Sequence, residues 1–306
     1  MGRNRTKQWN ANSLTANDIP SFEEIRKEKA LRHLYYFIEY VWYDIMPAGR
    51  KYISGWHIRD ICYHLEAVTR GEIKNLLINV PPRHMKSLLV SVFWPAWEWL
   101  KQPHLQYLTS SYSEQLSLRD SVRLRRLVES NAYKELMEYK SQRDDNFEPF
   151  SVREGQGEKR AWETTASGQR LATSVLGSLT GLDGDRIIVD DPHNVVEQES
   201  ETKRKNVLTW FDESLSSRYI DPETCAFVII MQRLHEEDLS GHVLLNNESD
   251  DNYVEKWDHL CLPGRYEGYN RCDTSLGYVD PRTQEEEPLW PQRFGTEELW
   301  NLVKGS

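Results

Sequence analysis

The apolar run Leu76-Leu77-Ile78-Asn79-Val80 leads directly into Pro81-Pro82-Arg83-His84-Met85-Lys86-Ser87, and a second apolar stretch follows from Leu88. This passage constrains the fold more than any other, because a buried strand that enters a polar loop and hands over to a helix is a strand–loop–helix unit. Lys86-Ser87 fills the last two positions of the phosphate-loop pattern G-x-x-x-x-G-K-[ST], although both glycines are missing. Such a loop needs backbone N–H groups around the phosphates, a Lys reaching the β and γ phosphates, a hydroxyl on Mg²⁺ and a helix N-terminus facing the anion. Lys86, Ser87 and the helix that follows can supply the last three. Standing alone, Lys-Ser after a strand is also an ordinary helix start.

A second half settles the choice. Arg186-Ile187-Ile188-Val189-Asp190-Asp191-Pro192-His193 is an apolar strand ending in adjacent acids, the Walker B arrangement. There the first acid, Asp190, is expected to hold the Mg²⁺ shell, and the second, Asp191, to orient the water that attacks the γ-phosphate. The alternative is a polar turn after a core strand.

Further strands are expected at Leu105–Thr109, Arg170–Val175 and Cys225–Ile230. Helices are expected over 21–46, with Ser21 and Glu24 in capping-box spacing, over 57–68, and from Leu88 until Pro95 ends or kinks it. Two more fall over 114–139, broken near Ser130-Asn131, and near 197–215. Strands alternating with helices imply a mainly parallel sheet flanked by helices. Three regions follow: an arm and helix over 1–50, with 1–20 mobile, a nucleotide-binding core over 51–244, and a looser subdomain or linker over 245–306. The ending Lys304-Gly305-Ser306 suggests a chain cut from a longer protein.

Composition narrows the partners. The 306 residues carry 38 Lys and Arg against 48 Asp and Glu, a net charge of −10, which excludes coating nucleic acid by bulk charge. DNA contact must be a local patch, and Arg119-Asp120-Ser121-Val122-Arg123-Leu124-Arg125-Arg126, with four arginines to one acid, is the candidate, a solvated helix face being its alternative. The four cysteines form no C-x-x-C pair and the nine histidines no metal-spaced cluster, so zinc-ribbon and dithiol redox chemistry are not supported. The N-terminus lacks an apolar signal core and no apolar run is long enough to span a bilayer, which points to a cytosol-like compartment.

Taken in order, these residues resemble the ATPase domain of the large terminase subunit of tailed bacteriophages, the motor that packages DNA into proheads. The resemblance rests on Trp56-His57, Pro81-Pro82-Arg83-His84-x-Lys86-Ser87, Ser110-Ser111-Tyr112-Ser113, Ile188-Val189-Asp190-Asp191-Pro192-His193 and Gln232-Arg233-Leu234-His235 with Asp238-Leu239-x-Gly241. Pro263, Leu289-Trp290-Pro291, Arg293-Phe294 and Leu299 extend it to cover roughly residues 30–300. It implies a RecA-like P-loop NTPase that uses ATP and Mg²⁺, with Arg83 at the γ-phosphate and Lys86 and Ser87 on phosphate and Mg²⁺. His84, Met85 and Leu88 complete the nucleotide loop, Trp56 and His57 meet adenine, and Gln232 senses the γ-phosphate. Asp190 is the Mg²⁺ acid, and Asp191 stands where many terminases carry a catalytic Glu.

Family members that use a trans-acting arginine place it before the Walker B strand, but Ser178–Asp185 holds none. Arg170, Arg186 and Arg218 flank that loop, with Arg218 and Arg186 the leading candidates. The resemblance further implies double-stranded DNA, a portal protein and a small terminase subunit as partners, and a ring, pentameric on the prohead, of subunits that can be monomeric alone. It places the protein in the host cytoplasm during assembly and outside the mature virion. The family also carries a C-terminal nuclease domain, and nothing after residue 245 reads as that domain, so no nuclease activity is expected of this chain. Competing readings are a superfamily 2 helicase fragment, disfavoured by the lack of room for a second RecA-like domain, and a nucleotide-binding module that does not hydrolyse.

Overall fold

The computed structural model describes residues 19–155, 158–197, 199–248, 256–269 and 272–295. The expected mobile arm, apart from Ile19 and Pro20, lies outside the described residues, as do Leu299 and the last three positions.

Seven strands form one sheet in the order β3-β4-β2-β5-β6-β1-β7. They are β1 (Asn75–Asn79), β2 (Gln106–Ser111), β3 (Ala161–Glu163), β4 (Gln169–Ser174), β5 (Arg186–Asp190), β6 (Ala226–Met231) and β7 (Asp258–Cys261). Every pairing is parallel except β3 against β4. Side chains alternate between two cores: Leu76, Ile78, Ile188, Val228 and Ile230 point into one, and Leu77, Ile187, Val189, Ile229 and Met231 into the other. Helices on both faces bury the central strands completely, which is why β1 and β5 read as continuous apolar runs.

The first core is covered by α1 (Phe22–Arg32), α2 (Leu34–Ile45), α3 (Trp56–Thr69) and the helical run from Lys86 to Trp99. The expected capping box of Ser21 and Glu24 opens α1. The single helix expected over 21–46 is two, because His33 is extended (φ −129°) and the Leu34 N–H, freed from α1, donates to the buried Glu66 carboxylate at 2.7 Å. Pro95 neither ends nor stops the helix in which it falls. α4 (Lys86–Leu88) passes into a π turn (Leu89–Phe93) and then α5 (Trp94–Trp99). The widened turn, in which the Trp94 N–H bonds to Leu89 O, lies immediately before the proline, whose ring would clash with a tight i−4 carbonyl.

After β2 come α6 (Glu114–Val128) and α7 (Asn131–Ser141), separated as expected at Ser130, whose hydroxyl accepts from Tyr133 N. α8 (Glu201–Trp210), a π turn (Phe211–Leu215) and α9 (Leu239–Asn247) cover the second core. Beyond residue 245 the chain returns to the sheet: β7 pairs with β1, and Leu289 and Trp290 are buried in the first core. No described helix is long and apolar enough to cross a membrane. All four cysteines are free thiols.

Candidate functional site

The carboxyl ends of β1, β5 and β6, adjacent in the sheet, open onto one edge, where ligands of parallel sheets bind. β1 runs into a loop in which Arg83 (φ 66°) and Met85 (φ 68°) are both left-handed. Met85 stands directly before Lys86, where the phosphate-loop pattern has glycine, so a side-chain-bearing residue holds the conformation glycine would adopt freely. At the end of β5 Asp191 turns out of the strand at φ 46°, fixed by its own N–H to Ile230 O (2.9 Å) and by Tyr112 N donating to its carbonyl (3.1 Å).

These loops bring five expected residues together. Lys86 Nζ donates to Asp191 Oδ1 at 2.7 Å, and Gln232 N donates to the same oxygen at 3.2 Å. Ser87 Oγ donates to Asp190 Oδ1 at 3.1 Å. Ser91, one helical turn on, reaches Asp190 Oδ2 at 3.4 Å. The two acids differ in kind. Asp191 is ion-paired and partly open to solvent, whereas Asp190 is buried. Burial, then Asp191, then Asp120 push the Asp190 carboxyl up to about 7, against the opposing pull of Ser87 and Lys86.

Other expected residues lie elsewhere. His57 has no solvent exposure and packs against Trp290 and His84, so it is a core residue and its expected adenine contact is withdrawn. His84 is likewise fully buried with its ring turned away from the loop surface, leaving only its backbone for a ligand. Burial keeps both imidazoles neutral, lowering His57 to about 3 and His84 to about 4. Trp56 is half-buried, with the Arg282 guanidinium 5.3 Å from its ring centre. Arg83 is exposed on the loop and Leu88 is half-buried at the end of α4.

Among the candidate trans arginines, Arg186 is corrected. It begins β5, the strand end opposite Asp190, and its guanidinium is buried against Glu98 at 2.8 Å while donating to Asp185 O and Thr224 O. A neighbouring subunit cannot reach it. Arg170 is also fully buried, and burial lowers its pKa to about 10. Arg218 donates from Nε to Ser214 O, and its carbonyl accepts from Gly184 N at the same far end of the sheet. In the arginine-rich helix, Arg119 and Arg123 both hold the buried Asp120, at 2.7 and 2.9 Å, so its one negative charge offsets one of the four arginines.

Sequence reasoning missed Ser91 and Asn79. Asn79 Nδ2 donates to Ser240 Oγ (2.8 Å), and its Oδ1 lies 2.8 Å from His259 Nε2, which ties the loop's strand to α9 and β7. The available signal was a lone amide inside an apolar run. The Gln232–Gly241 stretch is also explained: Asp238 accepts from Leu234 N and Gly241 N, His193 accepts from Leu239 N, and a Cβ at Gly241 would lie 1.8 Å from Glu236 O.

An ammonium beside a partly exposed carboxylate, next to a hydroxyl–carboxylate pair, suits a phosphate anion with a hard cation. The Ser87 and Asp190 oxygens are donors of the kind Mg²⁺ takes. No group of three or more His, Cys, Asp or Glu able to hold a metal exists among the described residues, so a cation here would complete its shell with phosphate oxygens and water.

No protein-family model matches the sequence, and no curated protein does. Among solved structures the chain is similar to the crystal structure of the HK97 bacteriophage large terminase, with a TM-score of 0.51 at 13% identity, covering 92% of this chain and 51% of that one. The α/β architecture is thus shared with a phage large terminase, and the chain spans about half the length of that protein.

Proposed function

We propose that the chain is the ATP-hydrolysing motor domain of a viral DNA-packaging terminase, a P-loop NTPase that couples hydrolysis to movement of double-stranded DNA into a prohead. The observation that carries the reading is Lys86 bonded to Asp191 at 2.7 Å beside Ser87 bonded to Asp190 at 3.1 Å, at the carboxyl ends of β1 and β5 on either side of β6. The likeness in fold to a phage large terminase supports the packaging context.

In this reading Lys86 leaves Asp191 for the phosphates of ATP, since a trianionic tail outcompetes one carboxylate for an ammonium. Asp191, released, accepts a hydrogen bond from water and aligns it, with Gln232 N–H holding the carboxylate in place. Ser87 and Asp190 would hold Mg²⁺, which would supply positive charge against the charge developing on the phosphates. Arg83, exposed beside Lys86, covers the γ-phosphate. Double-stranded DNA without sequence preference, a portal protein, a small terminase subunit and a ring of like subunits, pentameric on the prohead, complete the proposal, which locates the motor in the host cytoplasm during assembly.

The test is phosphate release and binding of a non-hydrolysable ATP analogue, with Mg²⁺ and double-stranded DNA present. Asp191→Asn should retain analogue binding while turnover falls about 100-fold or more, and Lys86→Ala should weaken both. Wild-type turnover by Asp191→Asn would reject the assignment of the water-orienting acid. Absence of turnover in the wild type, with analogue binding intact, would favour the non-hydrolysing module.

A further inference from the structure

Two consecutive left-handed turns without glycine require a compensating interaction, because an L side chain at positive φ is strained. Arg83 and Met85 are both in that state, and His84 between them is fully buried. Its Nδ1 lies 2.9 Å from Pro82 O, which pins the ring to its own turn. The ring then enters a cage: His57 at 5.6 Å between centres, Trp290 at 6.0 Å and Phe294 at 5.2 Å.

The cage is rigid and distant in sequence. Trp290 is 1% exposed, its indole N–H donates to Ser54 O at 3.0 Å, and its ring stands 4.9 Å from His57. Gly55 makes room for this approach, since a Cβ there would meet His57 Cε1 at 2.6 Å. The Arg293 guanidinium lies over the outer faces of Trp290 and Phe294, at 4.8 and 5.2 Å. Aromatic packing of this kind offsets part of the strain of the turn.

We propose that Trp290 and Phe294 are positioning residues for the phosphate loop: by seating His84 they hold the flanking Arg83 and Met85 in the left-handed conformation, which at Met85 the glycine of the loop pattern would otherwise supply. The inference rests on the nucleotide reading above and extends it to the segment following β7, which touches no phosphate. A consequence is reciprocal coupling. Whatever displaces the 290–294 segment loosens the loop, and an anion that tightens the loop holds the segment in place.

The test is a cycle on the full chain, read as affinity for the ATP analogue with Mg²⁺. Trp290→Ala should weaken binding about tenfold or more, and Trp290→Phe should restore most of it. The deciding variant is Met85→Gly in the Trp290→Ala background. It removes the strain at its source, so it should recover much of the lost affinity, which a general loss of packing would not permit. Unchanged binding in Trp290→Ala, or no recovery by Met85→Gly, would overturn the proposal. Phe294→Ala, at the cage's edge, takes the same place in the cycle if Trp290→Ala does not fold. Should the wild type bind no nucleotide, the functional reading fails while the cage is still tested: amide exchange over 83–87 must rise in the cage variant and fall again with Met85→Gly, and exchange that does not change would overturn it.

Discussion

The two ends of β5 carry opposite charges in opposite circumstances. At its start Arg186 is buried with Glu98, every geometry is closed, and Tyr107 donates its hydroxyl to the same carboxylate. At its finish, four residues or about 13 Å away, Asp190 is equally buried but receives only two serine hydroxyls, one of them distant, and faces a second carboxylate. A buried charge that is fully paired stabilises one arrangement; a buried charge that is under-compensated stores free energy that a cation can release. The same strand is therefore scaffold at one end and site at the other.

The largest expected effect is at the scaffold end. Glu98→Gln leaves the Arg186 guanidinium buried without a counter-charge, and should lower unfolding free energy by about 3–5 kcal/mol in denaturant titration. Adding Arg186→Met should return a good part of that loss, because it removes the buried charge left without a partner. If Glu98→Gln costs nothing, the start of β5 is not the anchor that the geometry describes.

The opposite sign is expected at the other end. The Asp190 carboxyl ionises near 7 in the folded chain against an ordinary 3.8. A raised carboxyl pKa means the fold disfavours the ionised form, so nothing is lost below about pH 4, the penalty grows as pH rises to 7, and it is complete above. Without Mg²⁺, Asp190→Asn should therefore stabilise the chain by more than about 1 kcal/mol at pH 8 and by little at pH 4, while abolishing any Mg²⁺-dependent turnover. A stabilisation that does not change with pH would break the contrast between the two ends.

How much of this was legible in the sequence follows the range of the forces involved. β1, β5 and β6 were visible because a strand buried on both faces must be apolar throughout, and Lys86, Ser87, Asp190 and Asp191 because they flank such strands. β7 was missed because Asp258-His259-Leu260-Cys261 sits at the sheet edge and offers one fully buried residue. The split at His33 depends on Glu66, and the burial of His57 on Trp290, partners that no local window contains. The left-handed Met85 was the least legible of all: its side chain contradicts the loop pattern, and the compensation lies over 200 residues downstream.

The smallest effect sharpens the comparison furthest. Arg218 lies at the scaffold end, with its Nε on Ser214 O and its carbonyl on Gly184 N, and Gly184 forms a bridge with Tyr219 beside it. The guanidinium is half-buried and pairs with no carboxylate among the described residues, so Arg218→Ala should change stability by no more than about 0.5 kcal/mol. In an isolated subunit it should also leave turnover within about twofold, because nothing links it to Asp191 across the length of the sheet. Turnover is then to be measured as protein concentration rises. If the wild type accelerates on self-association and Arg218→Ala does not, the start of β5 faces the neighbouring subunit's site, and scaffold and site alternate around a ring. If both accelerate alike, Arg218 has no role in trans.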